Sequence, residues 1–477
     1  MSSLISERLA RRILVILLVL KMVFTVFDMI QQGVGYSYDF RHHGWRARSA
    51  GLEMGKMAYN PPLYYLPVLP AANVAKYYDH GRPIIADNPN DESDHAQLLL
   101  EVVRGFNVIY LLTFYVSWIY FIFPRVTPSR RAWFLASLFL LTLPGYQKAS
   151  TMAHPDNLLM GLSALATAIW VRMERLQKTR LRDGLLLGFA TALIGLTRPF
   201  AIVPVAVLSL FNAVAQVRDA VRAKTRSLVK SLLAAIGRVA LIGALTATIA
   251  GAWYGFRYYE TGAIFDAYKE SYVDDFQPYK QRFDYAHYYG SFHFLSLLTN
   301  PNRNMSGNDR PSENRLGNTF PTIVYSEIWG DHWLYFSGPT QAADPKAWVK
   351  RIAFLVALPL SVAFIAMLAV GLIRTAVRAV RRRVTSREVL MATMAVLGFG
   401  LFVYWQGHAG LLPGKNSTIK FLYFAYVAPY AIATAFGIRP RERTFHLFVG
   451  AILLTFVVTV PIAIVNAAYP IPLRLYD

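Results

Sequence analysis

Eleven runs of mostly apolar residues punctuate the chain, near 9–30, 97–123, 132–147, 155–171, 184–197, 199–217, 232–256, 348–373, 388–406, 419–437 and 444–467. A helix that crosses a bilayer needs about 20 such residues, because hydrocarbon offers no partner for a backbone N–H or C=O. The runs therefore predict an all-α polytopic membrane protein of about eleven transmembrane helices. The fifth and sixth runs are short and abut at Arg198-Pro199, so they read either as two spans or as one broken helix. The first run follows Arg11-Arg12 but is long, carries Lys21 and lacks a small-x-small cleavage site after it, which reads as an uncleaved anchor.

A net charge of +21 would suggest nucleic acid in a soluble protein. Its distribution says otherwise. The N-terminus and the connections 124–131, 172–183, 218–231, 374–387 and 438–443 hold 25 Lys and Arg against five acids, which places +20 of the +21 on one face. The positive-inside bias makes that face cytoplasmic, and no groove-reading motif accompanies it. Cysteine is absent, which excludes disulfides, thiolate-zinc sites and thiol nucleophiles. The long connections 31–96 and 257–347 then lie together on the extracytoplasmic face, where the work is expected. Within the first of them, 40–79 is rich in Trp, Tyr, Leu and Pro and predicts interfacial helices along the bilayer, interrupted at Pro61-Pro62.

Several polar groups on that outer face can carry chemistry. In YSYDFRHHGW, a helix beginning near Asp39 would put Asp39, His42, His43 and Arg46 on one face, a carboxylate base flanked by imidazoles. The same pattern also fits a helix cap at Asp39 with His and Arg toward headgroups. Lys148 and His154-Pro155-Asp156-Asn157 stand at the outer end of the fourth span, where a carboxylate is costly and faces a cavity or a partner. His154 and Asp156 suit a divalent cation, and the motif equally suits a helix start with proline at its first position. Arg198 in GLTRPF can hold a phosphate with its planar fork or snorkel to the headgroups. In EIWGDHWLYF, Glu327, Asp331 and His332 lie among Trp329 and Trp333, a sugar-stacking surface or an interfacial belt. Lys415 and Lys420 are outer-face cations against the prevailing bias. Lys21 and Asp28 share one face of the first span and read as a structural ion pair.

The order of these segments resembles the GT-C superfamily of membrane glycosyltransferases, especially bacterial relatives of protein O-mannosyltransferases and lipid A aminoarabinose transferases. The resemblance rests on YDFRHHGW after the first span, GKMAYNPPLYYLP (55–67), HPDNLLMGLSALA (154–166), GLLLGFATALIGLTRPF (184–200) and IWGDHWLYF (328–336), spread over about residues 10–437. The family's first loop often carries an Asp-Glu pair, whereas here Phe40 follows Asp39. The resemblance implies a polyprenyl-phosphate sugar donor, a glycan, lipid or protein acceptor, and an extracytoplasmic active site in a bacterial inner membrane. It implies Asp39 as general base, in an inverting attack by the acceptor hydroxyl, and Asp156 as a second catalytic carboxylate. Arg198, Lys148, Lys415 and Lys420 would meet the donor phosphate, and His42, His43, Tyr59, Tyr64, His332 and Trp333 the substrates. A divalent cation at His154 and Asp156 is the one cofactor it suggests. On this reading residues 1–437 form the catalytic transmembrane region, and 438–477 add the final cytoplasmic loop, a last span and a short outer tail.

The competing reading is a transporter or flippase of a lipid-linked saccharide. It would favour mid-span charges and internal symmetry. The sequence offers Lys21, Asp28 and Arg238 for the first and no repeat for the second. A non-enzymatic scaffold is a third reading, and it would not require Asp39.

Overall fold

The computed structural model describes residues 6–32, 62–67, 94–151, 154–176, 181–197, 206–211, 213–214, 217, 228–262, 284–299, 319–329, 345–404 and 427–467. The labelled helices are α1 (Glu7–Gln32), α2 (Asp94–Val116), α3 (Arg130–Thr142), α4 (Pro144–Thr151), α5 (Asp156–Leu176), α6 (Leu181–Gly195) and α7 (Leu228–Thr261), then the short α8 (Tyr285–Gly290), α9 (Phe294–Thr299) and α10 (Phe320–Trp329), and finally α11 (Pro345–Val380), α12 (Ser386–Tyr404) and α13 (Glu442–Ala467). Six helices among the described residues are long and apolar enough to cross a membrane. Their outward faces agree: on α11, Val362, Ile365 and Ile373 are 59%, 63% and 64% exposed, a stripe that only lipid can satisfy.

Local chemistry sets the breaks. Helix α2 continues through a π-helical stretch, Ser117–Ile122, to Val126. The widened turn frees the Ile119 carbonyl, which accepts from the Trp133 indole N–H at 2.7 Å. Ser129 caps α3, its hydroxyl accepting from the Ala132 N–H at 3.2 Å. The apolar run 132–147 was expected to be one span, but it is two helices. Pro144 cannot continue α3 and pushes Leu143 into an extended conformation, with φ −66° and ψ 113°. Helix α4 then starts at the proline in a new direction, a break that hydropathy cannot register.

The arginine-rich connections meet at one end of the bundle. Glu7 pairs with Arg11 at 2.9 Å and with Arg130 at 3.2 Å; Arg131 reaches Glu442 at 3.8 Å; Arg172 lies 3.9 Å from Asp183. Arg387 pairs with Glu174 and also donates to the Arg125 carbonyl at 3.1 Å, while Arg374 donates to the Gly437 carbonyl at 3.0 Å. These contacts join five of the six basic connections. The sixth, 218–231, is described only from residue 228. The common face expected from counting cations is therefore a physical contact surface. Replacing Arg387 by Ala strands Glu174, whose side chain is 10% exposed, and should destabilise the fold by about 1–3 kcal/mol. A melting temperature in detergent equal to that of the parent would refute this role.

Packing builds one core from α1, α2, α3, α5, α11 and α13. Helix α6 lies against α5 and α7. Small residues let α6 and α7 approach closely: a Cβ at Gly188 would stand 2.8 Å from Leu245 Cδ1 and 3.3 Å from Ile242 Cα. Thr191 and Thr246 hydroxyls bridge the same seam at 3.0 Å.

Candidate functional site

At the end opposite the arginine contacts, α4 is the meeting point. It packs against α1, α2 and α10. Polar side chains that would be costly in lipid are gathered here and nearly inaccessible: Asp28, Arg104, Asn107, Gln147, His154, Asp156 and Asn157 are each at most 6% exposed. Each is held. Gln147 Nε2 donates to Asp28 Oδ2 at 3.0 Å, and the Arg104 guanidinium donates to the Met29 carbonyl near the end of α1. Lys21, one helical turn above Thr25, donates from Nζ to the Leu143 carbonyl at 3.2 Å. That carbonyl sits at the α3–α4 break, so the proline that splits the span leaves an acceptor for a lysine inside the bundle. The sequence suggested Lys21 and Asp28 as partners for one another; the contacts described for them run to the α3–α4 break and to α4.

The corner between α4 and α5 presents the His154-Pro155-Asp156-Asn157 motif. His154 and Asp156 side chains are 2% and 0% exposed, with Nδ1 3.6 Å from Oδ2. The Asp156 N–H donates to the same Nδ1 at 3.3 Å. This makes Nδ1 an acceptor and puts the proton of the neutral ring on Nε2. The His154 carbonyl accepts from the Asn157 N–H at 3.1 Å and from Asn157 Nδ2 at 3.3 Å. Asn157 therefore ties off the start of α5, and Asp156 sits in its first turn, where a carboxylate is favoured by the helix dipole.

Behind the corner stands a single turn, Pro62–Tyr65, from the first long loop. The interfacial helices expected over 40–79 lie outside the described residues apart from this turn, where Tyr64 and Tyr65 are 1% and 0% exposed and stack edge to face with centroids 5.2 Å apart. The Tyr64 hydroxyl donates to Asn107 Oδ1 at 3.1 Å, and Asn107 Nδ2 donates to the Ser150 carbonyl at 3.0 Å. The backbone of His154 hydrogen-bonds the same phenol. Burial pushes the Tyr64 phenol well above its ordinary range; Tyr65 and Tyr110 push the same way, and the bonds from Asn107 and His154 oppose them. The hydroxyl therefore stays protonated at any physiological pH and remains a donor.

Of the residues singled out from sequence, Tyr64, His154 and Asp156 come together here. Lys148 lies on α4, next to Gln147, with its side chain outside the described residues. Asp39, His42, His43, Tyr59, Arg198, His332, Trp333, Lys415 and Lys420 also lie outside them. The tested donor set for a divalent cation is a pair: among the described residues no three His, Asp or Glu side chains gather, and His154 Nδ1 already accepts a backbone N–H. The described residues do not by themselves compose a metal site. Sequence reasoning passed over Arg104, Asn107 and Gln147. The signal available for Asn107 was an amide inside the apolar run 97–123, where an unmet amide is too costly to persist.

Several solved structures are similar to the chain, three of them as follows. The Archaeoglobus fulgidus oligosaccharyltransferase in its apo form gives a TM-score of 0.47 at 12% identity, covering 96% of this chain and 56% of that one. The archaeal oligosaccharyltransferase AglB from the same organism, in complex with an inhibitory peptide and a dolichol-phosphate, gives 0.44 at 13% identity over 95% and 55%. ArnT from Cupriavidus metallidurans bound to undecaprenyl phosphate gives 0.35 at 15% identity over 88% and 76%. The chain thus spans a little over half the length of the two oligosaccharyltransferase chains. No family model and no curated protein matches it. By its own helices, the chain is an all-α polytopic membrane protein that joins its arginine-rich connections at one end and buries a polar corner at the other.

Proposed function

We propose that the chain is a glycosyltransferase that moves a sugar from a polyprenyl-phosphate donor to an acceptor hydroxyl on the extracytoplasmic face. One observation carries the reading. Segments far apart in sequence, and chosen from sequence alone, converge on α4. Tyr64 of GKMAYNPPLYYLP is bonded to Asn107 and His154, and HPDN follows α4 directly. Helix α10, which leads into IWGDHWLYF, packs on α4, and so does α1, which leads into YDFRHHGW. Electrostatics support the same end: it lies away from the arginine contacts that the positive-inside bias assigns to the cytoplasm.

In the reaction proposed, the acceptor oxygen forms a bond to the anomeric carbon while the bond from that carbon to the phosphate oxygen breaks. The electron pair leaves with the lipid phosphate, and the configuration inverts. Asp39 accepts the hydroxyl proton. Cations from Arg198, Lys148, Lys415 and Lys420 offset the charge that grows on the leaving phosphate. His42, His43, Tyr59, His332 and Trp333 shape the donor and acceptor sites. Asp39→Asn keeps the volume and removes the base, so transfer should fall by about 10²–10⁴-fold, with donor-lipid binding retained. Transfer at the parental rate in that variant would end the proposal.

A flippase of a lipid-linked saccharide draws on the buried Lys21, Asp28 and Arg104 within α1 and α2. Reconstituted vesicles separate the two: an enzyme forms a glycosylated product, whereas a flippase moves fluorescent donor lipid between leaflets and forms none.

A further inference from the structure

The contacts of Asn107 have a direction that chemistry forces. A backbone carbonyl can only accept, so the amide nitrogen must face Ser150. The amide oxygen then faces Tyr64, and the phenol must donate to it. The phenol oxygen is left to accept, and the His154 backbone lies against it. Side chains of two other segments thus bridge the Ser150 carbonyl, at the end of α4, to the His154 backbone, at the entry to α5. All four residues are buried, with exposures of 0% to 2%. The bridge spans the corner from outside, while Asn157 secures it from within through the His154 carbonyl. The residues are buried and the amide lies on a spanning helix, so a partner lost here leaves a polar group inside the bundle.

We propose that Asn107 and Tyr64 are positioning residues that clamp the α4–α5 corner, so that His154 and Asp156 are held in the geometry that sugar transfer needs. Tyr64 therefore acts from behind the corner and does not bind the sugar. The catalytic half of this inference rests on the glycosyltransferase reading; the clamp itself does not.

The test uses the full chain in nanodiscs with Tyr64→Phe, Asn107→Leu and the double variant. Hydrogen exchange of peptides covering 148–158 reads the clamp without reference to activity. Each single variant should speed exchange there about tenfold and leave the peptides of α11 and α13 unchanged. Transfer kinetics with a polyprenyl-phosphate sugar read the positioning. A misplaced corner should lower kcat by about 10–100-fold, with KM for the donor within about twofold. The double variant should be no worse than the poorer single one, because the two residues form one chain of bonds. Unchanged exchange in both single variants would overturn the clamp. Faster exchange with parental kcat would overturn its catalytic role, and a raised KM with unaltered kcat in Tyr64→Phe would make Tyr64 a substrate contact. A parent chain that transfers no sugar would overturn the catalytic half, and the exchange data would still decide whether the clamp exists.

Discussion

Asp156→Asn should cost about 10²–10³-fold in transfer, the scale of a lost electrostatic contact to a reacting centre, and leave the melting temperature nearly unchanged. The substitution is informative because of where Asp156 lies. It occupies the first turn of α5, where losing the charge to Asn costs only about 0.3–1 kcal/mol of helix-dipole stabilisation. The start of that helix is capped by the His154 ring, whose Nδ1 accepts the Asp156 backbone N–H that Asn retains. A purely structural Asp156 would therefore tolerate Asn in both stability and activity. What Asn removes is the negative charge 3.6 Å from His154 Nδ1. Across that distance the charge sets the field at the ring edge that faces it, while the bond from the Asp156 N–H holds Nδ1 as an acceptor. Parental turnover in Asp156→Asn would mean that the carboxylate has no chemical role.

A large effect on the fold that also reaches the site is expected at Gly161, where α5 crosses α2. A Cβ there would stand 3.0 Å from the Tyr110 carbonyl oxygen and 3.3 Å from Tyr110 Cα. Both are backbone atoms of a packed helix, so no rotamer change relieves the clash. Gly161→Val must push the helices apart, at a cost near the upper end of the about 1–3 kcal/mol typical of overpacking. The same displacement separates Asn107 on α2 from the motif that begins α5, so transfer should fall by about 10²-fold as well. Gly105→Ala on α2 is the control. Nothing lies within 4 Å of a Cβ at that position, and the change should be neutral or slightly stabilising, since alanine suits a helix better by about 1 kcal/mol. Equal melting temperatures and activities for the two variants would show that the helix crossing does not constrain the site.

Much of the architecture was legible in the sequence, because lipid imposes simple rules. Helices α1, α7, α11, α12 and α13 lie where apolar runs required them. That the basic connections share one end was legible from arginine counts, since charge is strongly sorted along the chain, and Glu7, Glu174 and Glu442 turn that count into contacts. The break at Pro144 was not legible, because the run remains apolar through it. The burial of Tyr64 was not legible, because an aromatic in an outer loop suits a headgroup belt and a buried turn equally, and only its partner on α2 decides. Helical spacing put Lys21 and Asp28 on one face, and it could not register the Leu143 carbonyl and the Gln147 amide that the α3–α4 break and α4 add to them. Within the site, His154 and Asp156 were legible because they are neighbours in the chain. Asn107 was hidden because a single amide among apolar residues carries no pattern.

Helix α13 has a consequence for how the protein is made. It lies against α1, α3 and α11, and Glu442 at its start reaches Arg131. Every candidate site residue is translated before it. A nascent chain that has not yet delivered α13 leaves flanks of α1 and α3 facing lipid, although Lys21 and Asp28 are already in the bilayer. Helix α1 is thus sealed only after α13 has been delivered, so closure of its flank is a late event in biogenesis.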